Sequence, residues 1–329
     1  MGNWLERNRS IVLVLLVNLA VIGGLFFFII PYLDIYGLII VRGVQVMFLA
    51  AWVLSTALIT EYIPDTKGTG IGKYYLFMSI GWFMAGMSSG TIYRYDIDIF
   101  FFLLGFVVIA QGLLLLPLEE PRRKSANVTL KNVFHLERIK EIKVLFVSVF
   151  LLAMGIMSWL VLIPVYFEDT FNYTRDIVTV IIAWSSLPFL LTIYLMGQLC
   201  DKYGRKKMYI ASIFTYMVMF AGFALEPHLF ILLTLWILPA YGFYLISTTA
   251  MVADLTHPHE RARGMGLQGG AVNLGSFAGA IVGGAVYAWS GSYPVLFSFA
   301  FIFPVLALVV GVGLKETLDC GVSTHDAVS

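Results

Sequence analysis

Residues 197–207 read GQLCDKYGRKK: four basic side chains, one aspartate and two glycines. The stretches on either side, 177–196 and 208–225, hold no charged residue at all. An uncharged apolar run of that length crosses a bilayer, which needs about 20 residues at roughly 1.5 Å of rise each. The string is therefore a polar turn joining two membrane spans.

Outward from this turn the same pattern recurs. Apolar runs of spanning length lie near Ser10–Tyr32, Leu38–Thr60, Ile71–Tyr93, Ile99–Leu118, Val144–Phe167, Ile177–Met196, Met208–Leu225, Leu229–Ala253, Met265–Trp289 and Tyr293–Leu314. With 60% apolar and 12% charged residues over 329 positions and a mean hydropathy of +0.88, the chain falls outside the range of soluble domains. It reads as an all-α membrane protein with ten predicted transmembrane helices. Period-two alternation is absent, so a transmembrane barrel is not competitive. The first run follows Arg7 and Arg9 as a signal peptide would, yet it is too long and no small-x-small cleavage site follows, so it is expected to stay as a span. Cys200 and Cys320 sit in polar segments and imply neither a disulfide framework nor a metal site.

Ten spans send the connecting segments alternately to two sides. Of the 21 lysines and arginines, 18 lie on or beside the side that holds residues 1–9, 61–70, 119–143, 201–207, 254–264 and the tail from Lys315. Only Arg94 and Arg175 fall on the other side, and Arg42 falls within a span. The positive-inside rule makes the basic side cytoplasmic, with both termini there. The segments divide the chain into a four-span part (1–118), a linker (119–143), a six-span part (144–314) and a cytoplasmic tail (315–329). In the linker, Val133, Leu136, Ile139 and Ile142 recur every three residues, which predicts an amphipathic helix at the membrane surface.

The halves echo one another. GNWLER (2–7) matches GQLCDK (197–202) as glycine, three residues, acid, base, at an offset of 195. EYIPDTKGTG (61–70) matches DLTHPHERARGMG (254–266), Glu61 standing 193 residues before Asp254 and Gly68 196 before Gly264. Each pair leads into a span rich in glycine that ends at a tyrosine, Tyr93 or Tyr287, offset 194. Four landmarks at a nearly constant offset indicate a two-fold repeat. Residues 143–196, two spans in 54 residues, have no counterpart in the first copy.

The opening string resembles the signature loop of the major facilitator superfamily (MFS), Gly-x-Leu-x-Asp-Arg-x-Gly-Arg-Lys. Gly197, Leu199, Asp201, Gly204, Arg205 and Lys206 match it, with Lys202 in place of the first arginine. The resemblance implies an MFS-type two-bundle fold with parallel repeats, here beginning at the family's third helix and so divided four plus six. The N-terminal copy departs from the pattern, with Arg9 where Gly204 stands and Ser10 where Arg205 stands. In the family this loop latches the bundles together on the cytoplasmic face and releases when the protein opens inward. The partner expected here is the 61–73 loop and the start of the third span. Asp201 is expected near the N-terminus of the following helix, where unpaired N–H groups carry positive potential. The plainer alternative is that these bases only enforce topology.

Arg42 is the one charge inside a span, since all 20 acidic residues lie in loops or at span ends. An arginine at the bilayer centre costs roughly 2.5–3.5 kcal/mol on insertion scales, so such residues usually face water or a ligand. LIIVRGVQ (38–45) is similar to the family's fourth-helix motif, tied to proton-coupled transport, with Val46 in place of its glycine. Arg42 stands four residues in from Leu38, about 6 Å, so snorkelling to the outer interface remains open. The resemblance places Arg42, Gln45, Trp82, Trp159, Trp184, Tyr241, Tyr244 and Asn273 on helices that face a central cavity. Packing is the competing role for each aromatic, and Asn18 and Gln111 suit interhelical hydrogen bonds. In the ninth span Gly275, Gly279 and Gly283 recur every fourth residue, a small-residue face for close helix packing. The third span lacks the Gly-Pro pair of the family's antiporter motif, Met87 following Gly86.

The function this implies is secondary transport of a small molecule by alternating access. A GxxxxGK[ST] loop is absent, so direct ATP drive is unsupported. A coupling proton or ion is left open, the surroundings are membrane lipids of the cell membrane, a monomer is expected, and no cofactor or nucleic acid is implied. An intramembrane enzyme would want acid, histidine or serine clusters inside the membrane, and none is visible. The rival from another class is a non-transporting remnant, or a twelve-span transporter whose start has been misassigned.

Overall fold

The computed structural model describes residues 11–45, 55, 67–117, 139–225, 228–256 and 261–317, and among them every regular element is a helix. In chain order these are α1 (Ile11–Ile29), a short 3-10 turn (Ile30–Tyr32), α2 (Ile35–Gln45), α3 (Lys67–Tyr95), α4 (Ile97–Leu114), α5 (Ile139–Leu160), α6 (Ile163–Phe171), α7 (Arg175–Tyr203), α8 (Arg205–Ala224), α9 (Leu229–Trp236), α10 (Ala240–Leu255), α11 (Arg261–Ser290) and α12 (Tyr293–Val312). Seven segments among the described residues are long and apolar enough to cross a membrane: Ile97–Leu114, Lys140–Phe171, Arg175–Tyr203, Arg205–Ala224, Leu229–Leu255, Arg263–Ser290 and Tyr293–Val312. Leu16–Tyr32 is a shorter apolar helix.

Local chemistry sets the helix ends. Asp34 opens α2 by accepting the N–H of Gly37 at 2.8 Å. Asp96 opens α4 by accepting the N–H groups of Asp98 and Ile99 at 2.7 and 3.4 Å. Both are N-caps, which satisfy donors that the first helical turn leaves unpaired. Two expected continuous spans prove to be interrupted. Val144–Phe167 is divided between α5 and α6, with Pro164 in the first turn of α6, and Leu229–Ala253 between α9 and α10, with Pro239 at the N-cap of α10. Proline lacks the N–H that would continue the ladder, and the helix is interrupted at each of these points within a single apolar span.

The linker is described only at its end. Residues 118–138 lie outside the described residues, and Ile142 is buried in α5 at the edge of the core. The last two of the four periodic apolar residues, Ile139 and Ile142, thus belong to α5, while Val133 and Leu136 lie outside the described residues.

Packing follows small residues. α1 and α4 cross where Gly24 meets Gly105 and Ile109, and where Gly112 meets Ala20. α11 lies on α5 through Gly275, Gly279 and Gly283, whose added Cβ atoms would collide with the carbonyl oxygens of Phe150, Met154 and Ser158 in turn. The expected packing face is therefore filled along its length by the α5 backbone. Apolar contact between helices gains little over contact with lipid, so such close crossings, with a few polar bonds, hold a membrane bundle together. Ser148 of α5 supplies two, donating to the Ala307 carbonyl of α12 at 2.8 Å and sharing a 2.7 Å bond with the Tyr209 hydroxyl of α8. Gln268 of α11 donates to the Thr248 hydroxyl of α10 at 2.9 Å.

The longest interface between elements of the first and second parts of the chain is α3 against α7. The two run antiparallel, with Gly72 against Ile193 and Gly197 at one end, Gly86 against Ala183, and Gly90 against Thr179 towards the other. Ile71 and Tyr75 of α3 are buried in the same core as the helices of the second part. That crossing carries the charged turn.

Candidate functional site

The charged string lies at the end of the α3/α7 crossing where α7 gives way to α8. Its two glycines serve different ends. Gly197 faces Gly72 of α3, a Cβ on Gly72 standing 3.5 Å from the Gly197 Cα and 3.1 Å from the Ile193 carbonyl oxygen. Gly204 turns the chain with φ of +104°, a conformation that L side chains rarely adopt, and an added Cβ there would also meet the Glu316 carboxylate.

Asp201 is placed differently from the sequence expectation. It sits in the last turn of α7, and the free N–H groups at the start of α8 belong to another acid. Glu316 Oε1, arriving from the segment after α12, accepts the N–H of Arg205 at 2.8 Å, of Lys206 at 3.3 Å and of Thr317 at 3.0 Å. A carboxylate at a helix N-terminus answers both the unpaired donors and the positive end of the dipole.

Arg205 is the centre of this end of the protein. It is buried, its guanidinium pairing with Asp254 at the end of α10 and, at 3.5 Å, with Asp201 one turn back. It also donates to the Ala250 carbonyl at 3.4 Å. Asp254, itself buried, accepts the Thr317 hydroxyl at 3.1 Å. The ends of α7, α8 and α10 thus meet at one buried cation, and the segment after α12 joins them through Glu316 and Thr317. Arginine suits the place because its planar fork can serve several acceptors at once. Lys206 reaches the Val312 carbonyl at 2.8 Å, closing α8 onto the end of α12, and Lys202 lies exposed with its ammonium 5.3 Å from the Tyr203 ring centre. The opposite end of the bundle is sparser, with Arg175 against Glu168 at 3.4 Å and the Tyr293 hydroxyl donating to Asp169 at 2.7 Å.

The expected cavity residues do not gather in one place. Arg42 and Gln45 lie in the last turn of α2, and their side chains fall outside the described residues. Trp159 is 1% exposed, its ring packed with Phe220, Phe223, Trp236 and Phe297 inside the second part of the chain. It is a core residue there. Trp82 on α3 and Trp184 on α7 are 68% and 53% exposed, and Asn273 on α11 is exposed as well. Tyr241 and Tyr244 on α10 are the pair brought together, ring centres 6.1 Å apart, with Tyr241 also 5.9 Å from Phe189 of α7. Tyr244 is buried, and its hydroxyl has no hydrogen-bond partner among the described residues.

Three residues of the charged cluster were not among the candidates: Asp254, Glu316 and Thr317. Asp254 left a signal, since it is the second-copy counterpart of Glu61 in the internal repeat. Glu316 and Thr317 left none beyond an acid next to a base in a polar tail.

Apolar helices of bilayer length, cut close together by glycines and tied at one end by a buried charge cluster, define a multi-pass membrane protein. A profile of the Major Facilitator Superfamily matches residues 1–185 and again residues 145–317, and the chain belongs to that superfamily of transporters. It is 22% identical over 286 residues to the proton-coupled antiporter flippase LtaA of Staphylococcus saprophyticus subsp. saprophyticus, covering 79% of this chain and 67% of that protein. It is 25% identical over 177 residues to the quinolone resistance protein NorA of Staphylococcus aureus, covering 53% of this chain and 45% of that protein. The chain thus spans two thirds of the one relative and under half of the other. Among solved structures it is similar in fold to the nucleoside transporter NupG, with a TM-score of 0.70 at 16% identity over 95% of this chain and 85% of that one. It is similar also to the MFS transporter FucP, with a TM-score of 0.71 at 12% identity over 93% and 83%.

Proposed function

We propose that this chain is a secondary transporter that carries a small molecule across the cell membrane by alternating access. The observation that carries the reading is the Asp201–Arg205–Asp254–Glu316 cluster seated at the end of the α3/α7 crossing. A buried arginine shared among several acids ties together helix ends of the second part, beside the end of α7 that packs on α3; intact, it holds that end in one arrangement, and opened, each group can be solvated separately. Such bistable contacts are what a rocking transition requires.

In this reading ten spans, four in residues 1–118 and six in 144–314, are joined by the 119–143 linker and followed by the 315–329 tail. The charged end of the bundle and both termini face the cytoplasm, as the basic segments favour. The protein acts as a monomer. Coupling to a proton or another ion is supported by the relative described as a proton-coupled antiporter and by the motif around Arg42. The substrate-facing residues are Arg42, Gln45, Trp82, Trp184, Tyr241, Tyr244 and Asn273.

The test has two arms. Asp201→Asn, made with Cys320→Ser, should fold normally and expose Cys200, which is now a buried free thiol, to cytoplasmic thiol reagents. Unchanged labelling would refute the switch role. Proteoliposomes carrying the unmodified chain should accumulate at least one member of a labelled panel of nucleosides, sugars, amphiphilic cations and organic anions. A flat response across the panel would overturn the transport reading.

A further inference from the structure

The acids of the charged cluster are committed inward. Arg205 is matched by Asp201 and Asp254, and Glu316 Oε1 is taken up by three backbone N–H groups. Beside the same turn, the start of α8 and the chain leaving α12 line a shallow open groove of about 570 Å³, bounded by Lys206, Lys207, Ile210, Leu314, Lys315 and Glu316. Lys206 is fixed at its edge by the bond to the Val312 carbonyl. Lys207 and Lys315 are exposed and carry no ion pair among the described residues. Three ammonium groups against one carboxylate leave the groove with a surplus of positive charge.

What lies beside the groove decides what it can hold. Ile210 and Leu314 give it apolar walls. Beyond Ile210 the exposed face of α8 continues through Phe214 and Val218, and α12 offers Val312, Val309 and Leu306 in the same exposed state. α8 and α12 pack on each other, so two neighbouring helices each carry an exposed apolar face that leads away from the lysines. A cationic groove at the head of these apolar faces fits an amphiphile with an anionic head.

We propose that this groove is a binding site for the phosphate of an anionic phospholipid, whose acyl chains lie along the exposed faces of α8 and α12. A free phosphate would use the lysines and leave the apolar walls idle, and salt would screen it from exposed ammonium groups. A lipid phosphate is held at the membrane surface by its own chains, where each added lysine strengthens the attraction.

The experiment uses the full chain reconstituted in phosphatidylcholine vesicles with spin-labelled phosphatidylglycerol or phosphatidylcholine as probe. Electron spin resonance then reads the fraction of each probe held at the protein surface. Unmodified protein should prefer phosphatidylglycerol several-fold. Lys207→Gln with Lys315→Gln should bring that preference close to parity while the helical circular dichroism stays unchanged. Lys140→Gln with Lys143→Gln, which removes the same charge from the exposed start of α5, should retain most of it. Equal retention of the two probes by unmodified protein, or equal losses in the two double variants, would overturn the site. Displacement of the labelled lipid by inorganic phosphate would overturn its assignment to a lipid.

Discussion

Glu316 accepts the backbone N–H of Arg205 at 2.8 Å across 111 positions of sequence, so the segment after the last helix caps the helix that follows the charged turn. The cap closes α8 onto α12 and blocks the space that a side chain on residue 204 would need.

Replacing Glu316 with alanine removes the carboxylate that caps the start of α8, a bond typically worth about 1 kcal/mol. Thermal unfolding in detergent should fall measurably, and Cys200 should react faster with thiol reagents in a Cys320→Ser background. Glu316→Gln retains an acceptor oxygen and should recover most of the stability. Equal behaviour of the alanine and glutamine variants would mean that the capping bond is unimportant.

Asp254→Asn leaves Arg205 buried without its nearest opposite charge. Breaking a buried pair from one side costs roughly 3–5 kcal/mol, whereas replacing both members with apolar residues is often close to neutral. The pair Arg205→Met and Asp254→Leu together should therefore unfold at a higher temperature than Asp254→Asn alone. Additive losses would show that the two side chains act independently.

At the α3/α7 crossing, a Cβ on Gly86 would stand 2.7 Å from the Ala183 Cβ, whereas Gly81, five residues earlier on the same helix, has nothing within 4 Å of its added Cβ. Gly86→Val should separate the two helices, costing about 1–3 kcal/mol as overpacking does, and should depress transport. Gly81→Ala should be neutral or stabilising by up to about 1 kcal/mol, because alanine is the better helix former. Equal stability of the two variants in thermal unfolding would argue that the helices part readily at this point.

If Arg42 faces a hydrated pathway, Arg42→Lys will express normally and lose transport, since a lysine keeps the charge but not the planar donor fork. Unimpaired transport by Arg42→Leu would show that the side chain serves only the membrane interface.

Much of this arrangement was legible in the sequence because it depends on local spacing. An uncharged run of spanning length has no other stable use, glycines every fourth residue in α11 must face a close neighbour, and the GQLCDKYGRKK turn has a pattern that topology alone does not demand. Prolines 164 and 239 were equally visible, yet the apolar runs through them read as continuous because hydropathy is blind to a missing N–H. Trp159 shows a different limit. In a membrane helix a tryptophan in the core and one against a cavity stand in the same apolar sequence, and only the rings of Phe220, Phe223, Trp236 and Phe297 settle the matter. The identity of the acid that caps α8 was out of reach for the same reason, since Asp201 is near in sequence and Glu316 is near in space.

The span of chain between Arg205 and Glu316 bears on how the protein is made. Synthesis proceeds from the N-terminus, so the basic turn emerges well before Asp254 and longer still before Glu316. Until α10 and α12 have been inserted and the segment to Thr317 has left the ribosome, Arg205 has only Asp201 among these acids to answer it. The nascent protein would then present an open basic surface at that end of the bundle. Burial of Arg205 would mark the moment at which the last helices have taken their places.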